Sequence, residues 1–317
     1  MISIAMTTYN GEKYLREQID SIINQTYKDI ELIICDDRST DNTQSILKEY
    51  EKTDKRIHVY INETNLGFKK NFEKAITLCN GDYIAFCDQD DVWENWKLQE
   101  TLDAIGDNYL ISTDSLLVDS QLNSLNRTFK QNLGIKKVCM DQTFLLKNLI
   151  HHSFIQGTTL LASSDFIKKY LPIPEDCIYH DLYFAVCAAL NNRITYLDKT
   201  SLKYRQHENN IIGNKKKGKF SFLKPAGYNK DKILNKSKER LCLINLEIQN
   251  TDDKELQLYL LESKRYYEEL PNKSFYTVKY YNKYFNYLNW DYSKTKKLLI
   301  IFKKFLGMIA FKLSKNK

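Results

Sequence analysis

The chain has 317 residues, of which 43% are hydrophobic and 27% charged, a balance that excludes a disordered or fibrous polymer and leaves room for a full α/β core plus a smaller second unit. Its formal net charge of +7 is concentrated in lysines of the last third, which attract nucleic acid, anionic lipid or a phosphorylated substrate without choosing among them. Seven scattered cysteines show neither zinc-ligand spacing nor a disulfide framework, and read as reduced, mostly buried thiols.

The chain opens on a strand-like run from Ile2 to Met6, with no basic start followed by a long apolar stretch, so no secretory signal is expected and a cytoplasmic location follows. Leu15, Ile19, Ile22 and Ile23 recur at helical spacing, and Glu31 to Cys35 is a short apolar run fit for a buried strand. The alternation continues with a short helix after Thr43, a strand at Ile57 to Ile61, a helix over Phe68 to Leu78 and a strand at Tyr83 to Cys87. A helix from Trp96 to Ile105 leads to a strand at Tyr109 to Thr113, after which residues 119–150 lose clear periodicity and read as an insertion or loop. Beyond Ile155 come an apolar stretch to Ala162, a helix at Asp165 to Tyr170, an apolar helix carrying His180 and Asp181, and a closing strand at Ile194 to Leu197. Strands alternating with helices predict an α/β fold with a doubly wound, mainly parallel sheet over residues 1–215. Residues 216–317 are rich in lysine and tyrosine, carry no strand signal and predict a separate helical region.

In an open parallel sheet, ligands bind beyond the carboxyl ends of the strands. Two acidic clusters fall there: Asp36 and Asp37 after the second strand, and Asp88, Asp90 and Asp91 after the fourth. Asp36, or Asp41 in the following turn, serves equally well as a helix cap. Three acids within four residues repel one another unless a cation offsets them, and a hard divalent metal, Mg²⁺ or Mn²⁺, is the natural partner. Neither a G-x-x-x-x-G-K-[ST] loop nor a G-x-G-x-x-G turn occurs, so phosphates must be held another way, and a metal bridging a diphosphate does this.

Four blocks in order, SIAMTTYNG at 3–11, SIINQTY at 21–27, CDDRSTD at 35–41 and DQDDVW at 88–93, resemble the family 2 glycosyltransferases of GT-A fold over roughly residues 1–213. The resemblance implies that Thr7 and Tyr9 lie where the nucleotide base is held, and that Asp37 accepts the N3 hydrogen of uracil or thymine. It implies Asp90 as a metal ligand, Asp88 near the ribose or a metal-bound water, and Asp91 behind them. Asn65 and Lys69 fall where relatives approach the nucleotide, although a solvated helix face explains Lys69 as well. The family often has glycine after the acid pair of the second strand; this chain has Arg38, so that turn is assigned no phosphate role.

An inverting transfer needs a carboxylate to take the proton of the attacking hydroxyl. Asp181 opens a helix, where capping alone would explain an acid; the resemblance favours catalysis, because relatives carry an acidic or His-Asp pair at His180 and Asp181. In the closing YRQHENN run at 204–210, similar proteins complete the metal shell with a histidine at the place of His207, and Arg205 either faces the diphosphate or makes an ordinary ion pair. Trp93 packs on the sheet by default, with sugar stacking as its functional alternative, and Gly157 matches a position where a missing side chain admits a sugar. The His151 and His152 pair, with no acid at ligand spacing, reads as part of a loop.

From Lys294 to Lys317, lysines gather on one side of a helical wheel and Leu298, Phe302, Phe305, Leu306, Ile309 and Leu313 on the other, which fits a helix lying in a membrane surface or packing on the catalytic domain. The expectation is an inverting, Mn²⁺- or Mg²⁺-dependent transferase using a UDP- or dTDP-sugar and a glycan or lipid-linked glycan acceptor, cytoplasmic or peripheral on the inner face of the plasma membrane. It resembles most the rhamnosyltransferase-like enzymes of bacterial surface polysaccharides. A non-catalytic scaffold subunit of the same fold is the alternative, and nucleic acid is not an expected partner.

Overall fold

The computed structural model describes residues 1–151, 154–207 and 230–272, together with Thr277, Lys279, Tyr280 and Lys283. The expected surface helix over 294–317, the lysine run at 215–217 and His152 lie outside the described residues. By packing, the chain forms two units discontinuous in sequence: residues 1–133, 154–173 and 179–210 in one, and 134–153, 174–178 and 211–317 in the other. The short segments 134–153 and 174–178 thus group with the helical unit, not with the sheet.

The first unit begins with β1 (Ile2–Thr8), α1 (Leu15–Ile23), β2 (Ile30–Asp36), α2 (Thr43–Thr53), β3 (Ile57–Ile61), α3 (Phe68–Leu78) and β4 (Tyr83–Cys87). There follow β5 (Val92–Trp93), α4 (Lys97–Ile105), β6 (Leu110–Val118), β7 (Ser124–Thr128) and α5 (Phe129–Asn132). After α6 (Gln142–Leu149), which lies in the second unit, the sheet unit resumes with β8 (Leu161–Ser163), α7 (Ser164–Lys169), α8 (His180–Leu190) and β9 (Ile194–Arg205). The stretch 119–150 therefore holds a strand and two helices, where periodicity alone suggested a loop. Its amphipathic signal is weak because α5 spans four residues and β7 is mostly exposed.

The nine strands form one sheet in the order β3-β2-β1-β4-β8-β6-β9-β5, with β7 added at β6. Pairings β1 with β2, β1 with β4, β2 with β3 and β6 with β9 are parallel, while β8, β5 and β7 run against their neighbours. The sheet is mainly parallel, as the alternating pattern predicts. β1 and β2 are near-continuous apolar runs because both faces are covered. Ile2, Ile4, Met6, Leu32 and Ile34 pack with Leu15, Ile19 and Ile22 of α1 in one core cluster.

Register decides where the polar ends fall. Thr8 pairs with Asp36 across β1 and β2, Met6 pairs with Cys87 across β1 and β4, and the Asp37 amide donates to the Thr8 carbonyl at 2.8 Å. Tyr9, Asp37 and Asp88 consequently leave the sheet at one edge.

The second unit contains α6, α9 (Lys230–Gln249) and α10 (Lys254–Glu269). His151 is buried there, with Nε2 2.7 Å from the Tyr259 hydroxyl and Nδ1 2.8 Å from that of Tyr267. It stands in the turn after α6, as its sequence context suggested, and its ring is packed into the core. No described helix is long and apolar enough to cross a membrane.

Candidate active site

Asp36 and Asp37 divide two tasks. Asp36 is fully buried and accepts from Thr8 Oγ1 (2.9 Å), the Ser39 amide (2.9 Å) and Gln44 Nε2 (3.1 Å), so it fixes the turn that follows β2. In that turn Arg38 takes φ 65°, in the left-handed region that favours glycine, which accounts for the glycine common at this place among the proteins it resembles. Asp37 accepts Asn62 Nδ2 (2.8 Å) and the Leu66 amide (2.7 Å) on Oδ1, and the Gly67 amide (2.8 Å) on Oδ2. These bonds aim its carboxylate and leave Oδ2 acceptor capacity for one more donor. Asn65 braces the same loop, its Nδ2 donating to the Asp37 carbonyl at 3.1 Å, and Lys69 lies partly exposed in the first turn of α3.

Thr7 and Tyr9 flank the end of β1, with Tyr9 about half exposed at 49%. The Tyr9 backbone is clamped by Gln89: Oε1 accepts the Tyr9 amide at 2.8 Å and Nε2 donates to its carbonyl at 3.0 Å. A side chain on Gly11 would sit 2.2 Å from Gln89 Oε1, so a larger residue there would displace this clamp. Gln89 lies between two acids and carries no charge, so nothing in the sequence marks it as part of the site.

The acidic cluster follows β4. Asp90 Oδ2 is 2.8 Å from His207 Nε2, and the His207 ring lies against Tyr14 with centroids 5.1 Å apart. This meeting of residues 117 positions apart depends on the antiparallel pairing of β5 with β9, Val92 with Lys203 and Trp93 with Leu202, which runs β9 to Arg205 beside the cluster. Asp88 is pushed up to about 7, first by burial and then by the charges of Asp90 and Asp181, with Lys97 opposing. Asp91 is buried and held well above the usual carboxylate range by burial and by the charges of Asp90 and Asp88.

Among the described residues no group of three or more His, Cys, Asp and Glu side chains is arranged to hold a metal alone. The donor set nevertheless fits a hard divalent cation, because a carboxylate and an imidazole already meet at Asp90 and His207, Asp88 lies nearby, and such ions complete their shells with water and phosphate oxygens.

Burial decides between the two readings of Arg205 and the two of Trp93. Arg205 does not face a diphosphate: it is 1% exposed, Nε donates to the Asp90 carbonyl and Nη1 to that of Ser120, both at 2.8 Å, and Nη2 pairs with Glu17. Its amide also donates to Asp91 Oδ1 at 3.1 Å, so it fixes the acidic loop from behind. Trp93 is 3% exposed with Lys97 Nζ 3.3 Å from its ring centroid, leaving no face for a sugar. At Gly157 an added Cβ would lie 2.9 Å from His180 Nε2, so close packing against that ring explains the missing side chain without a sugar.

Asp181 lies in the first turn of α8, where a carboxylate is favoured by the helix dipole. Its Oδ2 accepts the Gly157 amide at 3.0 Å and its Oδ1 accepts the Leu182 amide at 2.7 Å. His180 turns inward between Phe72 and Phe86, with ring centroids 4.2 and 5.4 Å away, and neither of its nitrogens has a hydrogen-bond partner. Burial pulls it down to about 3, so it stays neutral and serves as packing behind Asp181.

Residues 3–169 match the family model described as glycosyl transferase family 2. The dTDP-rhamnosyl transferase RfbG of Shigella flexneri is 33% identical over 217 residues, covering 66% of this chain and 73% of that protein. Staphylococcus aureus TarS in complex with UDP-GlcNAc superposes with a TM-score of 0.59 at 20% identity, over 89% of this chain and 75% of that one. The mannosyltransferase PcManGT of Pyrobaculum calidifontis, in complex with GDP-Man and Mn²⁺, superposes with a TM-score of 0.58 at 13% identity, over 97% and 86%. Both structures share the fold. With more than half its length matched by the family model, and with the strand-end acids placed as described, the chain belongs to the family 2 glycosyltransferases.

Proposed function

We propose that this chain is an inverting, metal-dependent transferase that moves a hexose or deoxyhexose from a UDP- or dTDP-sugar to a hydroxyl of a glycan or lipid-linked glycan, in bacterial surface-polysaccharide synthesis. The observation that carries the reading is that one sheet edge gathers the aimed carboxylate of Asp37, a carboxylate–imidazole pair, Asp90 with His207, and a further carboxylate, Asp181, whose charge is felt at Asp88.

Asp37, aimed by Asn62, Leu66 and Gly67, accepts the base N3 hydrogen, which uracil and thymine both offer. Thr7 and Tyr9 flank the base, with Tyr9 held by Gln89. Asp88 hydrogen-bonds the ribose side of the donor. Asp90 and His207 would hold Mn²⁺ or Mg²⁺, which when bound supplies positive charge against the departing diphosphate. Asp181, anchored by the Gly157 amide, takes the proton of the acceptor hydroxyl as that oxygen bonds to the anomeric carbon and the bond to the diphosphate breaks. Attack from the face opposite the leaving group inverts the anomeric centre.

The similarity to a dTDP-rhamnosyl transferase favours a deoxyhexose donor. The basic amphipathic sequence at 294–317 suits a lipid-linked acceptor at an anionic membrane surface. The test is release of nucleoside diphosphate from a panel of UDP- and dTDP-sugars with Mn²⁺, Mg²⁺ or EDTA. One donor consumed in a metal-dependent manner is the expected result, and turnover unchanged by EDTA would remove the metal from the reading.

A further inference from the structure

Lys97 begins α4 yet is 1% exposed, a rare place for a lysine. Its ammonium sits over the Trp93 ring and donates to the Thr158 carbonyl, while the charges of Asp91 and Asp88 reach it from the acidic cluster. Thr158 is the middle residue of the 3₁₀ turn Gly157–Thr159, whose Gly157 amide anchors Asp181. The rest of the turn is held by buried polar contacts as well: Trp93 Nε1 to Thr158 Oγ1 at 3.4 Å, Ser112 Oγ with Thr159 Oγ1 at 3.0 Å, and Ser115 Oγ to Gln156 Oε1 at 2.6 Å. Lys97 is the basic side chain in this set, and its bond to the Thr158 carbonyl reaches the turn that orients the proposed base.

We propose that Lys97 is a positioning residue which, by holding the Thr158 carbonyl, fixes the Gly157 amide and through it the direction of the Asp181 carboxylate. This rests on the reading of Asp181 as the base. Lys97→Met removes the donor at similar length, and Lys97→Gln keeps a neutral N–H. Donor calorimetry on each variant reports a folded nucleotide site.

The expected result for Lys97→Met is donor affinity within about twofold of wild type and turnover lowered at least tenfold, about 1.4 kcal/mol in the barrier. Lys97→Gln should recover part of that turnover. In the Asp181→Asn background Lys97→Met should lower residual turnover by less than twofold, because two residues acting through one group are non-additive. Full additivity with Asp181→Asn overturns the link while leaving the base assignment standing, and loss of donor binding in both Lys97 variants overturns it by showing a role in the fold. Wild-type turnover in Asp181→Asn alone defeats the base assignment itself and the link with it.

A separate observation lies in the helical unit. Cys177, in the 174–178 segment, and Cys242 of α9 are both thiols with Sγ atoms 3.1 Å apart; Cys177 is buried and Cys242 partly exposed. We infer that they form a redox-modifiable dithiol that exchanges with low-molecular-weight disulfides. The Cys242 thiolate attacks one sulfur of the small disulfide and releases one small thiol. Cys177 then attacks Cys242 Sγ, a protein disulfide forms, and the second small thiol leaves. Two protein thiols are oxidised, the small disulfide is reduced, and the two thiol protons go to the leaving sulfurs.

Incubating the full chain with oxidised glutathione and mapping peptides by mass spectrometry tests this. The expected result is a Cys177–Cys242 crosslink with loss of two hydrogens, and a stable glutathione adduct on Cys242 in Cys177→Ser. Adducts on exposed Cys139 and on Cys242 of the wild type, without the crosslink, overturn it.

Discussion

Gly157 donates its amide hydrogen to Asp181 Oδ2 at 3.0 Å, and it can approach that closely because it has no side chain: a Cβ there would meet His180 Nε2 at 2.9 Å and Cε1 at 3.3 Å. The His180 ring cannot swing aside, since Phe72 and Phe86 enclose it. Gly157→Ala should therefore destabilise the protein by about 1–3 kcal/mol through overpacking and lower turnover more than donor affinity. Urea unfolding and steady-state kinetics on the same preparation check both parts.

The neutral state of His180 sets an acid limit. Its folded value, pulled down to about 3 by burial, lies below the ordinary 6.5, so the unfolded chain binds a proton that the folded chain refuses. The contribution is fully present above about pH 6.5 and is lost as pH falls from there toward 3, at no more than about 1.4 kcal/mol per pH unit. His180→Phe fills the same apolar slot without a titrating group. Denaturation series between pH 7 and pH 4 should give a shallower loss for the variant than for the wild type.

Arg205 governs the acidic loop from behind, through bonds to the Asp90 carbonyl, the Asp91 carboxylate by its amide, the Ser120 carbonyl and Glu17. Its ring-stacked position over Tyr14, 4.3 Å from guanidinium carbon to centroid, places it under the His207 side of the site as well. Arg205→Met keeps the length and removes the fork, leaving the Asp90 and Ser120 carbonyls and Glu17 without the guanidinium. A loss of about 2–4 kcal/mol in stability and a several-fold weaker metal-dependent donor affinity are expected, read by unfolding and by calorimetry with and without Mn²⁺.

The strand ends were readable because β1, β2 and β4 are apolar runs that stop at polar residues, and the parallel register carries those stops to one edge. What the sequence concealed was set by contacts far along the chain. Trp93 and Arg205 each leave a ligand-facing alternative open along the chain, and the pairing of β5 with β9 closes it by burying both. Nothing in the neighbours of Lys97 along the chain announces that Thr158 supplies its acceptor. Gly157 was visible as a special position, but its reason, the ring of His180, follows from packing between α8 and the turn before β8.

We propose that donor binding and proton removal are separate tasks, given to Asp90 with His207 and to Asp181. The most direct measurement sets metal-dependent donor calorimetry beside nucleoside diphosphate release for the wild type, Asp90→Asn and Asp181→Asn. Asp90→Asn should lose metal-dependent donor binding, while Asp181→Asn should bind donor within about twofold of wild type and lose turnover by about a hundredfold or more. Turnover by Asp181→Asn close to wild type, or donor affinity in Asp90→Asn that still responds to metal as the wild type does, would contradict it.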